Sequence, residues 1–361
     1  MQISKIEDKR RIESQRIIAF DVMRIISIFA VILLHYSSQR FYISFPSPEW
    51  EIRNVYDAMV RWGVPVFVMI SGALFLDSNK KLSIKRLYTK NILRIICAFL
   101  FWSFIYLLYD ILATNRQNVT PGGVISGVLK GPFHLWFLKM LLGLYIMAPI
   151  LKIIANNKKI EEYFLLLSLI TVFILPWFFK FLGFLNLNLS HLFNAFYEKM
   201  DIRIALGFTG FFILGHYLKN KTFNPIIRKT IYFLGLISWI CVIILTHFKS
   251  FHSNYADTFF YNDLSLFTLI EAIAVYIFIS HKFKNYKSKY SPLIVKISNL
   301  TFGVYLIHIL IRQFFQNSLG IDSSTMGVGL GVPLLSIITF IFSLALAWGI
   351  NKIPYANRFI I

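Results

Sequence analysis

Ile17-Ile18-Ala19-Phe20-Asp21-Val22-Met23-Arg24-Ile25-Ile26-Ser27-Ile28-Phe29-Ala30-Val31-Ile32-Leu33-Leu34-His35-Tyr36 is the stretch whose reading decides the fold. As a helix it covers about 30 Å, the thickness of a bilayer's hydrocarbon core. Two charges and a histidine interrupt an otherwise apolar run. Arg24 and His35 are nearly a whole number of turns apart, so they share one stripe, roughly 16 Å apart along the axis. Asp21 lies one turn before Arg24 on the same side. Ionisable groups inside a membrane span are costly and usually line a pathway or an active site. The plain alternative is that Asp21 and Arg24 neutralise each other near the interface and that His35 is an interfacial donor.

The rest of the chain repeats the apolar pattern. Of 361 residues, 57% are hydrophobic and 17% aromatic, and the mean hydropathy is +0.64. A soluble domain of this size is far more polar, so an integral membrane protein is expected. The formal charge of +20 is assigned to short basic loops that set topology. No basic patch with interleaved aromatics stands apart from the membrane edges, which argues against nucleic acid as a partner. Cys97 and Cys241 lie in apolar runs and give no CxxC, metal spacing or disulfide framework. The basic tail (Lys5, Lys9, Arg10, Arg11, Arg16) leads into the first run without a small-residue cleavage site, as expected of an uncleaved first span.

Spans of about 20 residues are predicted near 16–37, 55–77, 91–113, 133–154, 162–184, 201–219, 229–248, 263–281, 292–316 and 328–350. The loops alternate in charge. One side carries 24 basic residues, including the N-terminal five, Lys80, Lys81, Lys85, Arg86 and Lys90; the other carries nine, among them Arg40, Arg53, Arg116, Lys130 and Arg312. That asymmetry places both termini in the cytoplasm. The expected fold is an all-α, polytopic membrane helical bundle of about ten transmembrane helices. Residues 1–15 and 351–361 are expected as cytoplasmic tails around a membrane domain at 16–350. No internal repeat or inverted pair of broken helices suggests a secondary transporter. The outer segments hold Trp50, Tyr56, His134, His191, Asn194, Tyr197, His252, Tyr255 and Asp257, read either as an aromatic belt or as a carbohydrate-binding rim.

Other residues carry candidate chemistry. Ser71 and Gly72, in Val64–Gly72, permit close helix contact. Arg94 lies about a turn inside the third span, near Arg86 and Lys90, where it would hold phosphates of a nucleotide-bearing donor or snorkel to lipid phosphate. His134-Leu135-Trp136-Phe137-Leu138 opens the fourth span, and Tyr305 and His308 share a face of the ninth. Glu271, inside the eighth span, needs a partner or a proton; Arg24 or His308 is the expected partner. No HExxH, carboxylate cluster, P-loop or GxSxG is present, so no metal is expected.

Taken in order, Asp21-x-x-Arg24-x10-His35, VPVFVMISG at 64–72, HLWFL at 134–138 and TFGVYLIH at 301–308 resemble acyltransferase family 3 membrane proteins. Within it the chain is similar to stand-alone O-acetyltransferases of surface glycans, such as those acting on enterobacterial common antigen; Asn254–Phe259 adds to that likeness. The resemblance implies an O-acyltransferase of the bacterial inner (cytoplasmic) membrane, multi-pass, with no bound cofactor. It implies acetyl-CoA, or another acyl-CoA, as cytosolic co-substrate, and a hydroxyl on a glycan or lipid-linked saccharide as acceptor. His35 and Arg24, with Asp21, are then the catalytic candidates. Arg86, Arg94 and Lys90 become acyl-CoA contacts; Ser71, His134, Trp136, Asp257, Glu271, Tyr305 and His308 become acceptor-side or supporting residues. The partners implied are acyl-CoA, the saccharide and membrane lipids, with a homo-oligomer left open and no nucleic acid. Two departures stand out: the basic loop lacks adjacent arginines, and Lys139 sits where a neutral residue is expected.

In this reading His35 is a general base or a transient acyl carrier. Arg24 stabilises negative charge, Asp21 orients Arg24, and a pantetheine arm threads between them. A glycan exporter or flippase would use the same outer rim without chemistry at His35. Succinyl in place of acetyl would use the same machinery.

Overall fold

The computed structural model describes residues 17–114, 120–184, 199 and 202–361, and among them every regular element is helical. Helix α1 (Ile18–Ser37) runs unbroken through the Asp21–His35 stripe. Ser47 opens α2 (Pro48–Met59): its hydroxyl accepts the Trp50 amide hydrogen, and Pro48 takes the first position, where a missing N–H leaves nothing unpaired. After a break at Val60–Trp62, α3 (Gly63–Phe75) resumes, with Pro65 in its first turn. A π turn (Leu87–Ile92) leads into α4 (Leu93–Thr114). The short α5 (Pro121–Lys130) and a 3-10 turn (Phe133–Leu135) precede α6 (Trp136–Asn156). Helix α7 (Lys158–Ser168) passes through a π turn into α8 (Leu175–Phe184). The chain continues as α9 (Ile202–Lys219), α10 (Pro225–Ser253), α11 (Leu266–Lys282), α12 (Ser291–Ser318) and α13 (Val328–Asn351).

Among the described residues, eight helical stretches are long and apolar enough to cross a membrane, the second being α2 and α3 together, Pro48–Phe75. They coincide with eight of the ten predicted spans. The other two predictions fall on α9 and α11, helices of 18 and 17 residues outside that set. The second span starts at Pro48, ahead of the predicted 55, because Ser47 and Pro48 cap it. The eighth starts at Leu266, after the predicted 263, because the Ser265 hydroxyl caps it through the Thr268 amide; Asp263 therefore lies in a loop.

Two of the basic residues assigned to outer loops are instead inside the bundle. Arg53 is fully buried, its guanidinium donating to the Ser323 and Ser324 hydroxyls at 2.8 and 2.7 Å. Arg312 sits within α12. In both cases internal hydrogen bonds replace the water that a loop arginine would find. Trp50 and His134, read as outer rim residues, are also buried, at 0% and 2% exposure. Tyr255 and His252 are exposed. His191, Asn194 and Tyr197 lie outside the described residues, as does the N-terminal basic tail.

Hydrogen bonds define the two ends of the bundle. At the basic end Lys152 Nζ donates to the carbonyls of Asp77 and Lys80, and Lys219 pairs with Asp77 at 2.7 Å. At the opposite end Arg40 pairs with Asp322 at 3.0 Å, and Gln39 accepts the Ser323 amide hydrogen. Between them α3 and α9 pack backbone against backbone. A Cβ on Gly72 would fall 1.7 Å from the Phe212 carbonyl oxygen, and one on Gly215 1.9 Å from that of Met69. The C-terminal residues are not a free tail: a last turn, Ala356–Phe359, brings Ile360 and Ile361 back, where their carbonyls accept from Trp102 Nε1 and Arg94 Nη2.

Candidate active site

A cavity of about 450 Å³ occupies the middle of the bundle. Arg24 and His35 both line it, so it extends along α1 for the roughly 16 Å that eleven helical residues span. Arg94, Asn91, Ser298 and Asn299 surround Arg24 at the basic end. Toward the opposite end the walls are His35, His134, Trp136, Arg61 and Asp263, with Ser71, Tyr145 and Tyr305 between. A wider vestibule of about 720 Å³, lined by Asp21, Arg24, Asp77, Lys80, Lys219 and Asn299, shares Arg24 and Asn299 with the inner cavity.

At the basic end Arg24 donates to Asp21 at 3.3 Å, and the Ser298 hydroxyl donates to the same carboxylate oxygen at 2.6 Å. Asp21 is 1% exposed. The aspartate thus ties α1 to α12 and holds the arginine against the cavity wall, as a charge-assisted contact requires. Arg94 stacks over Phe302 and donates to the Ile361 carbonyl. Burial works against ionisation of Asp77 in the vestibule, but hydrogen bonds from Lys219 and the Asn79 amide outweigh it and hold the carboxyl below its usual range.

Farther along, three imidazoles meet. The His35 ring stacks on His308 with centroids 5.3 Å apart, and His134 lies edge-on to His308 at 5.5 Å. His308 Nδ1 donates to the Tyr305 carbonyl at 2.6 Å, because a carbonyl can only accept; this fixes the tautomer and leaves Nε2 as the ring's acceptor. Tyr305 donates its hydroxyl to the His134 carbonyl at 2.7 Å, joining α12 to the turn before α6. Arg312, one turn beyond His308, donates to the His35 carbonyl at 3.0 Å. The end of α1 is thereby clamped, while the His35 side chain faces the cavity.

At the far end Arg61 occupies the break between α2 and α3. It pairs with buried Asp57, donates to the Tyr261 carbonyl at 3.0 Å and lies over the Tyr261 ring at 4.3 Å. Ser37, in the last turn of α1, donates to Asp57 at 3.2 Å. Burial pushes the neighbouring Asp263 carboxyl up to about 6, against the pull of Arg61.

The structure brings together Arg24, His35, Ser71, Arg94, His134, Trp136 and Tyr305 in one cavity, with Asp21 and His308 directly behind it. Arg86 lines a separate groove of about 430 Å³ with Lys80, Lys81 and Asn91, and Asn91 also reaches the inner cavity. Lys90 is exposed on the π turn. Asp257 caps its own loop, accepting the Phe259 amide hydrogen and pairing with Lys249 at 3.0 Å. Lys139 donates to the Lys130 carbonyl and lies over Phe99. The expected partner of Glu271 is corrected: Arg24 is held by Asp21 and His308 by Tyr305, and α11 sets Glu271 against α10 in a different cavity. Sequence reasoning missed Arg61, Asp263, Ser298 and Arg312. The Asp57–Arg61 pair was findable, since it places opposite charges one turn apart inside an apolar run, as Asp21 and Arg24 do.

The family model for an acyltransferase domain, acyltransferase family 3, matches residues 17–352, and the chain belongs to that family. Together with the eight helical stretches among the described residues that are suited to crossing a bilayer, this makes the protein a multi-pass membrane acyltransferase. No curated protein and no solved structure matches it.

Proposed function

We propose that the protein is an integral membrane O-acyltransferase that moves an acyl group, acetyl in the first instance, from cytosolic acyl-CoA to a hydroxyl of a cell-surface or lipid-linked glycan. In this reading α9 and α11 also cross the membrane, giving ten crossings with both termini cytoplasmic, in the inner membrane of a bacterium. The observation that carries it is the single cavity joining Arg24 to His35. A CoA nucleotide held at the vestibule by Lys80 and at the neighbouring groove by Arg86 would send its pantetheine arm past Arg24 and Arg94. The thioester would then stand at His35.

The chemistry follows from the groups present. His35 takes the proton of the acceptor hydroxyl as its oxygen attacks the thioester carbonyl. The carbon–sulfur bond breaks, the thiolate leaves, and the imidazolium returns its proton to sulfur. His308, stacked on His35 with its own Nδ1 committed to Tyr305, keeps the base in one orientation. A transient acyl-imidazole at His35 is the second form of the same reaction. Asp263, Arg61 and Trp136 at the far end supply a carboxylate, a guanidinium and an aromatic face for a sugar.

The deciding experiment is transfer of radiolabelled acetyl from acetyl-CoA to a membrane glycolipid extract by the purified protein and by His35→Ala. Label should reach glycolipid with wild type and fall to background in the variant, with thermal unfolding unchanged. Full transfer by His35→Ala would refute the role of this residue, and absence of transfer by both would shift the reading to another acyl donor or to glycan export.

A further inference from the structure

A second cavity, of about 300 Å³, lies between α10 and α11 and under the end of α2. It is lined by Met59, Trp62, Tyr232, Trp239, Glu271 and Phe278, with small residues at its floor. Gly235 faces Ala274 so closely that a Cβ would sit 2.6 Å from the alanine methyl, and Ser238 donates to the Phe267 carbonyl at 3.1 Å. These contacts hold the two helices in register and leave the cavity between the larger side chains above and below. Leu236, Phe278 and Met59 at its edge are exposed on the outer surface of the bundle, the surface that faces lipid in a membrane.

The Trp62 indole N–H donates to the Met59 carbonyl at 2.7 Å, but three other polar side chains in this cavity are unpaired among the described residues. Glu271 is 4% exposed, and among the described residues neither of its carboxyl oxygens has a hydrogen-bond partner. The Trp239 indole Nε1 and the Tyr232 hydroxyl, buried in the same walls, also lack partners there. Buried polar groups are paired in the great majority of cases, and each exception calls for an explanation. The carboxyl needs a donor, and the indole N–H needs an acceptor. A hydroxyl supplies both from one atom. A phosphate would bring negative charge into a cavity whose lining holds no cation, and a quaternary ammonium would leave the indole without an acceptor. The remaining walls are aliphatic and aromatic, suited to hydrocarbon chains.

We propose that this cavity binds a neutral lipid alcohol, of the diacylglycerol type, which enters sideways from the bilayer and places its hydroxyl between Glu271 and Trp239. This goes beyond the acyl-transfer reading and does not depend on it, because Glu271 lies outside the cavity that holds His35.

The test uses the full-length protein in lipid nanodiscs with a diacylglycerol carrying a diazirine on one chain, the cross-link being mapped by peptide mass spectrometry. Label should concentrate on residues 225–253 and 266–282. Unlabelled diacylglycerol should displace it, and phosphatidic acid with the same chains should not. Glu271→Leu and Trp239→Phe should each lower labelling about tenfold, the loss expected for a hydrogen bond to a buried polar group. Glu271→Gln, whose amide still accepts and donates, should stay within about twofold of wild type. Trp239→Phe keeps an aromatic ring while removing the N–H with the pyrrole half of the indole, so it gives an answer even if Glu271→Leu is poorly folded. Equal labelling in the folded variants, equal competition by phosphatidic acid, or label spread around the whole lipid-facing surface would each overturn the proposal.

Discussion

At the scale of residues, the arrangement around His35 separates groups that touch the cavity from groups that hold others in place. Asp21 belongs to the second kind, since it accepts from both Arg24 and Ser298. Asp21→Asn should raise the KM for acyl-CoA about tenfold while changing kcat little, because it weakens the hold on Arg24 and leaves the imidazoles untouched; steady-state kinetics with varied acyl-CoA checks this. Asp263 sets a pH dependence. Its carboxyl, raised to about 6, loses its charge as pH falls through that value. The KM for the acceptor should therefore rise below about pH 6 in wild type, and that inflection should be missing from Asp263→Asn. Stability moves with the opposite sign. The folded carboxyl holds its proton more tightly than the unfolded one, whose reference value is 3.8, so this group's contribution declines as pH rises from 3.8 to about 6 and is flat above. Chemical denaturation of wild type and Asp263→Asn at pH 5 and pH 7 measures the difference.

At the scale of elements, the interface of α3 with α9 is set by glycines and not by large side chains. Gly72 and Gly215 let each backbone approach the carbonyls of the other helix, the arrangement that small residues permit in membrane bundles. Gly72→Val must push α3 from Phe212 and should destabilise the protein by about 1–3 kcal/mol or more, visible as a lower Tm in detergent. Gly143→Ala is the control, since a Cβ there meets nothing within 4 Å; it should leave the Tm unchanged or slightly higher, as replacing a helical glycine does. The break at Val60–Trp62 is the other decisive element. A continuous helix would have left Arg61 on a helix face, whereas the interruption sets its guanidinium over the Tyr261 ring and into the cavity wall.

At the scale of the whole molecule, charge separates the two ends of the bundle, and the long cavity joins them. If ten helices cross with both termini cytoplasmic, a single cysteine placed at Tyr255 should react with an impermeant maleimide from outside intact cells. One placed at Lys287 should react only after the cells are opened. These variants are made in a background lacking Cys97 and Cys241. Labelling of both positions from the same side would show that α11 does not cross, since that helix connects them.

Most of the helical layout was legible because an apolar run of bilayer length permits few structures other than a helix. The stripe of Asp21, Arg24 and His35 was legible for a related reason: helical period fixes which residues share a face within one element. Distance between elements carries no such rule. That His308 stacks on His35, that Ser298 bonds Asp21, and that Arg61 and Asp263 meet at the cavity's far end depend on how α1, α2, α11 and α12 pack. The misplaced residues have the same origin. Arg53 and Arg312 look like loop charges until the groups that pair with them arrive from other segments, and Glu271 was given partners that packing turns away from it. The sequence by itself determined a membrane-embedded helical protein and the candidate groups on its first helix, since hydrophobicity and period are local. Only the tertiary structure decided which of those groups share a cavity and which buried polar atoms remain unpaired, since both depend on contacts between residues far apart in the chain.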